Sequence, residues 1–270
     1  MHAILLDLDG VLYQGECAVP GAAASIRWLQ ESGVPHLFVT NTTSRPRRSL
    51  VDKLAGFDID VTADAILTPP VAARQWLQDN VTGDIALFVP EATREEFAGL
   101  PLLSEQAQAG AGAVVLGDLA EGWTFTTLNR AFRLLIAEPK PPLVALGMTR
   151  YWQAPNGLQL DVAPFVVALE HAAGCSAHIL GKPSAEFFVA ALRKLGTRAT
   201  DTVMVGDDIR GDVDAAQQAG LPGILVRTGK FRPSDLQLGI LPHATLDSIA
   251  ALPAWWQANQ PGTKPPRCAD

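Results

Sequence analysis

Two aspartates one residue apart, Asp7 and Asp9 of Asp7-Leu8-Asp9-Gly10-Val11, follow directly on the apolar run Ala3-Ile4-Leu5-Leu6. Alternate residues of a strand face the same side, so continued strand geometry would aim both carboxylates one way. Two such groups at a strand end could divide the work of phosphoryl transfer. One attacks phosphorus, the other handles the proton, and a divalent cation reduces their repulsion. A surface turn rich in acids is the alternative, because D-x-D-G also occurs in calcium loops.

Three later segments bear on that choice. Leu37-Phe38-Val39-Thr40-Asn41-Thr42 is an apolar run ending in a hydroxyl and an amide, which can orient phosphoryl oxygens without adding charge. Ile179-Leu180-Gly181-Lys182-Pro183 sets a lysine between an apolar run and a helix start at Pro183-Ser184. Val203-Met204-Val205-Gly206-Asp207-Asp208, followed by Gly211-Asp212, is again a buried-looking strand that ends in carboxylates. Any one of these is common at strand ends; the four in this order are not.

In that order the chain resembles the haloacid dehalogenase-like phosphatases. Their four motifs read here as Asp7-x-Asp9, Thr40-Asn41, Lys182-Pro183 and Gly206-Asp207-Asp208-x-x-x-Asp212. The longer strings Val39-Thr-Asn-Thr-Thr-Ser44, Gly157-Leu-Gln-Leu-Asp-Val162, Gly181-Lys-Pro-Ser-Ala-Glu-Phe-Phe188 and Gly223-Ile-Leu-Val-Arg-Thr-Gly-Lys230 are similar to one subgroup. That subgroup contains the phospholysine phosphohistidine inorganic pyrophosphate phosphatase.

The resemblance implies a set of roles. Asp7 would be the nucleophile that forms an aspartyl-phosphate. Asp9 would protonate the leaving group and then activate water, which calls for burial or hydrogen bonding to keep it protonated. Magnesium would be held by Asp7, the backbone carbonyl of Asp9 and Asp207, with Asp212 holding a metal-bound water and Asp208 beside it, either near the metal shell or as a helix-start acid. Lys182 would neutralise the nucleophile and the phosphoryl group, and Thr40 and Asn41 would fix the phosphoryl oxygens.

The elements that must carry these residues alternate as a doubly wound α/β fold requires. Strands are expected at residues 3–6, 34–39, 202–205 and 224–226, and helices at 22–30, 46–54 and 212–219. Ser184 is expected to cap a helix that Gly196 ends. The long stretch between the second and third motifs has its own strand candidates at 85–89, 113–116 and 143–146, with helices at 128–136 and 165–173 between them. This predicts a Rossmann-like parallel-sheet core, residues 1–70 and 178–260, with an inserted α/β cap domain at 71–177 and a proline-rich tail at 261–270. The resemblance makes that insertion a cap of the larger type.

Composition narrows the partners. The 270 residues are 48% hydrophobic, enough for a sizeable core, and the formal net charge of −7 argues against nucleic acid as a general partner. Cys17, Cys175 and Cys268 have no metal-like spacing and form no even framework, which favours a reduced, cytoplasmic setting. No basic leader or membrane-spanning run is read from the sequence. Arg45, Arg47 and Arg48 are read as a solvated helix face rather than an anion trap, and Arg150, Tyr151 and Trp152, before a Pro155-Asn156-Gly157 turn, as packing rather than leaving-group contacts. His36, His171 and His178 have no triad partner and are read as structural, and Trp255-Trp256 as packing.

Within the fold, the acid at Asp9 favours phosphoryl transfer over dehalogenation. The expected activity is therefore a magnesium-dependent phosphatase of small phosphorylated substrates, with phosphoramidates or pyrophosphate implied by the subgroup. Sugar phosphates, nucleotides, glycerol phosphate and pyridoxal phosphate are the alternatives. A non-catalytic relative that binds a phosphorylated metabolite is a further one. The resemblance also implies that caps of this type often mediate self-association, so a homodimer through the cap could coexist with catalysis.

Overall fold

The computed structural model describes residues 1–154 and 157–259; Pro155 and Asn156 of the expected cap turn, and the tail 261–270, lie outside them. The chain forms two compact units. One comprises Met1–Thr40, Val51–Ile66 and Phe188 onward, the other Asn41–Leu50 and Leu67–Phe187.

The first unit is organised by a six-stranded sheet. Its order is Ala244–Leu246, Gly223–Val226, Thr202–Gly206, Ala3–Leu6, His36–Val39 and Ile66–Leu67. Ala3–Leu6 pairs in parallel with Thr202–Gly206 on one side and His36–Val39 on the other. Gly223–Val226 and then Ala244–Leu246 extend the sheet, again in parallel. The central strands are buried along their whole length, as short apolar runs covered on both faces must be. Helix Ala22–Glu31 buries Ala22, Ser25, Ile26 and Leu29, the spacing of one helical face. From Ala3–Leu6 the chain winds outward to His36–Val39 and Ile66–Leu67, and it later winds the other way from Thr202–Gly206. The strand order therefore reverses between Ala3–Leu6 and Thr202–Gly206, and open α/β sheets hold their ligands beyond the carboxyl ends of strands at such a reversal.

The second unit holds a four-stranded parallel sheet ordered Ala177–Ile179, Leu143–Ala145, Ala113–Leu116 and Ile85–Phe88. Helices Phe125–Ile136 and Ala163–Ala173 pack on each other and on a core that includes Phe88, Val114, Leu116, Leu134, Val166 and Leu169. Thr124 caps the first of these helices by accepting a hydrogen bond from the Thr127 amide at 3.1 Å. An antiparallel hairpin, Tyr151–Ala154 with Gly157–Leu160, adds a second, two-stranded sheet. This is the inserted α/β domain that the sequence called for.

One expected element differs. In place of a regular helix over 212–219, residues Ile209–Asp214 form a wide π turn that leads into a short helix, Ala215–Gln218. Asp208 causes the difference. Its side chain accepts from the amides of Arg210 and Gly211, and its carbonyl accepts from both Asp212 and Val213, so the first turn opens out. Among the described residues no helix is long and apolar enough to cross a membrane.

Candidate active site

Carboxylates gather at the order reversal. Asp7 follows Leu6 at the end of the central strand, and its amide donates to the Val205 carbonyl at 2.9 Å. Asp207 follows Gly206 at the end of the neighbouring strand, and the π turn brings Asp212 back beside it. All three are buried, Asp207 and Asp212 to 1% exposure, and each offers an oxygen within 4.8 Å of the others. Two glycines make room for them. A β-carbon at Gly10, which has φ +84°, would overlap the Asp207 carboxylate, and one at Gly206 would overlap that of Asp212. The Gly10 position of D-x-D-G is thus set by the closeness of Asp207 as well as by its turn.

Crowding has an electrostatic consequence. Burial, and then the neighbouring charge of Asp7, push the Asp207 carboxyl up to about 7, against the relief given by the Lys230 amide. Asp207 Oδ2 accepts that amide at 2.6 Å, while Oδ1 is buried with no hydrogen-bond partner. Burial also works against the Asp208 carboxylate, but the amides of Gly211 and Arg210 and the charge of Lys230 together hold it below its ordinary range. Asp208 is committed to its turn. Its Oδ1 takes the two amides, its Oδ2 lies 3.4 Å from the Lys230 ammonium, and its own amide donates to Asp212 Oδ2 at 3.1 Å. Here it acts as a helix-start acid that shapes the loop.

Asp9 departs from expectation. The strand ends at Leu6, and the amides of Val11, Leu12 and Tyr13 all turn back onto the Leu8 carbonyl. The alternation therefore does not carry through, and Asp9 is exposed while Asp7 is buried. The burial expected around a general acid is not present at Asp9. Thr40 is buried at the end of His36–Val39, the strand beside Asp7's own.

In the second unit, Asn41 and Lys182 are brought together by a reciprocal pair of hydrogen bonds. The Asn41 side-chain amide donates to the Lys182 carbonyl at 2.8 Å, and the Lys182 amide donates to Asn41 Oδ1 at 2.7 Å. Gly181 admits this pairing, because a β-carbon there would meet the Leu146 carbonyl at 2.6 Å and Asn41 Oδ1 at 3.3 Å. The Lys182 side chain is buried. Asn41 thus fixes the backbone that carries the lysine.

Other candidates fall where plain structure would put them. Of the arginines expected on a solvated helix face only Arg48 fits, pairing at the surface with Glu95 at 3.1 Å; Arg45 precedes the helix, and Arg47 is drawn inward by buried Glu96 at 3.0 Å. His36 bonds the Val34 carbonyl, and His178 lies against Trp76 and 3.7 Å from Glu186. Tyr151 and Trp152 differ from the packing expected of them, since both are exposed on the hairpin, with the Arg150 guanidinium 5.8 Å from the Tyr151 ring centre. Trp256 is buried as expected.

Three residues with no role assigned from sequence also belong to this site. Thr228, Gly229 and Lys230 follow strand Gly223–Val226, the next strand beyond Thr202–Gly206. The Thr228 hydroxyl donates to the Gly10 carbonyl, and Gly229, at φ +63°, passes so close to Asp207 Oδ2 and Gly10 Cα that no β-carbon fits. A polar Thr-Gly pair ending a third apolar run was the available signal; their main contribution is through hydrogen bonds that residue type alone does not reveal.

Comparison with known proteins agrees with this geometry. Residues 4–101 match a family described as haloacid dehalogenase-like hydrolase, and residues 179–252 match a second description, HAD-hydrolase-like. The chain is 38% identical over 250 residues to the bovine haloacid dehalogenase-like hydrolase domain-containing protein 2, spanning 92% of this chain and 93% of that protein. It is 37% identical over 239 residues to the human phospholysine phosphohistidine inorganic pyrophosphate phosphatase, spanning 87% and 86%. Among solved structures, the p-nitrophenyl phosphatase from Archaeoglobus fulgidus superposes with a TM-score of 0.82 at 26% identity, covering 93% of this chain and 97% of that one.

Proposed function

Since the chain belongs to the haloacid dehalogenase-like hydrolase family, we propose that it is a magnesium-dependent phosphatase of small phosphorylated substrates that works through an aspartyl-phosphate. The observation that carries this reading is the buried trio Asp7, Asp207 and Asp212 at the reversal of strand order. The donor set suits a hard divalent cation. It consists of carboxylate oxygens, and one of them, Asp207 Oδ1, is buried without a hydrogen-bond partner. Asp7, the Asp9 carbonyl and Asp207 would hold the ion, with Asp212 beside them. When bound, magnesium would offset the mutual repulsion of these acids and draw charge from the phosphoryl oxygens.

The chain's own residues then do the following. Asp7 attacks phosphorus as the bond to the leaving group breaks, which transfers the phosphoryl group to its carboxylate. Asp9 gives a proton to the leaving atom and afterwards takes one from the water that cleaves the acyl phosphate. Its exposure leaves it free to reach a bound substrate. Thr40, at the adjacent strand end, offers a hydroxyl to a phosphoryl oxygen. Lys182, its backbone fixed by Asn41, supplies positive charge for the phosphoryl group.

Phosphoramidates and pyrophosphate are the proposed substrate class, supported by 37% identity to a relative named for phospholysine, phosphohistidine and inorganic pyrophosphate. A leaving nitrogen needs the proton that Asp9 would supply, and a departing phosphate, a weaker base, needs it less. The inserted unit, residues 71–177 as read from sequence, is proposed to select the leaving group. It is also proposed to mediate self-association, which the exposed Tyr151, Trp152, Leu158 and Leu160 of its hairpin support. A reduced, cytoplasmic setting accords with the free thiols of Cys17 and Cys175.

Phosphate release from a panel of phosphoramidates, pyrophosphate, sugar phosphates, nucleotides and pyridoxal phosphate, with and without magnesium, tests this function. Turnover that needs the metal is expected, with phosphoramidates or pyrophosphate leading. A leading monoester would replace the substrate class and keep the mechanism. A folded, magnesium-binding protein that released phosphate from nothing in the panel would overturn the enzymatic reading in favour of a phosphate-sensing relative.

A further inference from the structure

The residues that hold the carboxylates are as informative as the carboxylates themselves. Two ligand groups named above, the Asp9 carbonyl and the Asp207 carboxylate, lie beyond the ends of two different strands. The same three-residue turn binds Asp207 directly and the residue that follows Asp9. The Thr228 hydroxyl donates to the carbonyl of Gly10, the residue after Asp9. The Lys230 amide occupies Asp207 Oδ2 at 2.6 Å, so that Oδ1 is the oxygen left without a partner. Gly229, with positive φ, lets the turn lie against both partners, because a β-carbon there would overlap Asp207 Oδ2 and Gly10 Cα. The turn is closed on itself by the Phe231 amide, which donates to the Thr228 carbonyl at 3.3 Å.

We propose that Thr228-Gly229-Lys230 is a clasp that sets the cation affinity of this site. Thr228 is a positioning residue that acts through Gly10 on the Asp9 carbonyl, and the Lys230 amide acts through Asp207 Oδ2 on the aim of Oδ1. This rests on the magnesium-dependent reading above. Groups of this kind, one bond removed from the ion, hold ligands in the geometry that binding needs. The clasp joins the first-motif loop to the fourth-motif strand end, so it determines whether the two ligand groups stand at the right separation before any ion arrives.

The test is the magnesium affinity of the full chain, measured by titration calorimetry with magnesium alone, for wild type, Thr228→Val, Thr228→Ser, Gly229→Ala and Arg227→Ala. Arg227 sits next to the clasp, but its side chain pairs with Asp247. Thr228→Val is expected to weaken magnesium binding roughly 10- to 100-fold. Thr228→Ser, which keeps the hydroxyl, and Arg227→Ala should bind as wild type does. In turnover assays Thr228→Val should need more magnesium for half-maximal rate yet recover most of kcat at saturating metal. Gly229→Ala should be worse than Thr228→Val in affinity; if it does not fold, the Thr228 pair still decides the matter. Wild-type affinity in Thr228→Val, or an equal loss in Thr228→Ser, overturns the clasp while leaving the metal site intact. A wild type that binds no magnesium overturns the reading beneath it, and the clasp with it.

Discussion

The two parallel sheets of this chain are built alike and end differently. Both consist of short, buried, apolar strands. In the first, the strand order reverses between Ala3–Leu6 and Thr202–Gly206, and those two strands run on into Asp7 and Asp207. In the second, the order follows the sequence from Ile85–Phe88 to Ala177–Ile179 without reversal. Its strand ends are Val89-Pro90, Gly117, Leu146-Gly147 and Leu180-Gly181. There, Gly117 lies against the side chains of Leu146 and Val89, so the ends pack on one another. Connections that diverge from neighbouring strands leave a crevice open, and connections that step in one direction cover their strand ends in turn. The buried carboxylate trio sits where the strand order reverses, and the apolar runs of the second sheet end mainly in packing, Lys182 after Leu180-Gly181 being the polar exception.

The largest effect that could break this contrast is at Asp7. Replacing it by asparagine keeps the side chain's shape while removing the nucleophile, and phosphate release is expected to fall by at least about 10⁴-fold. Single-turnover assays with purified Asp7→Asn measure this. Rate retained within tenfold of wild type would move the chemistry away from the order reversal altogether.

A core truncation in the second sheet's unit should do the opposite. Leu134, fully buried on helix Phe125–Ile136, packs into the cluster with Val114, Leu116 and Val166. Leu134→Ala is expected to lower stability by about 2–5 kcal/mol through lost burial and the cavity left behind. Magnesium affinity should stay at the wild-type value, because no carboxylate of the trio belongs to that unit. Denaturant melts and calorimetry on the same samples separate the two quantities; a matching loss of affinity would mean that the ligand site depends on the second core.

How much of this was legible beforehand follows the same division. Ala3–Leu6 and Ala113–Leu116 fall where the apolar runs put them, because a buried parallel strand has little in its sequence except the run itself. Helix Ala185–Leu195 begins after Ser184 as expected, with the Glu186 amide on the Ser184 hydroxyl. Helix Pro69–Asn80 was not read from the sequence, although Pro69-Pro70 is well suited to a first helical turn. Asp7 and Asp207 were legible from apolar runs ending in acids. The exposure of Asp9 was not, since nothing in D-x-D-G says where strand geometry stops. Nor was the commitment of the Asn41 amide to the Lys182 backbone, a bond between residues 141 positions apart. The clasp was least visible, because a backbone amide has no letter of its own.

A smaller effect sharpens the electrostatic side of the contrast. The Asp207 carboxyl is held up near 7 by burial and by Asp7, well above its ordinary range. The folded, metal-free chain therefore binds more protons there than the unfolded chain between about pH 4 and about pH 7, and its stability falls as pH rises through that window. The expected fall is on the order of 4 kcal/mol. Chemical denaturation in the presence of a chelator, compared between wild type and Asp207→Asn, isolates it, since other titrating groups are common to both. The variant's profile should be flatter than that of wild type, and saturating magnesium should remove the fall in wild type. Parallel profiles for the two proteins would mean that the carboxylates do not strain the metal-free fold.

The smallest effect concerns the charges of the second unit. Arg48 and Glu95 form an ion pair whose arginine side chain is 71% exposed, where water and salt screen most of the attraction. Arg48→Ala is expected to change stability by less than about 0.5 kcal/mol. If Arg48 belongs to a solvated helix face, the variant's KM for an anionic substrate should also match wild type at low and high salt. An anion-steering role would give a different result: KM raised at low ionic strength and restored to the wild-type value as salt is added, because steering weakens within a Debye length that shortens with salt. That outcome would extend the second unit's proposed part in substrate handling from Lys182 to the arginines of its surface, and charge on that surface, as well as at a strand end, would then serve the reaction.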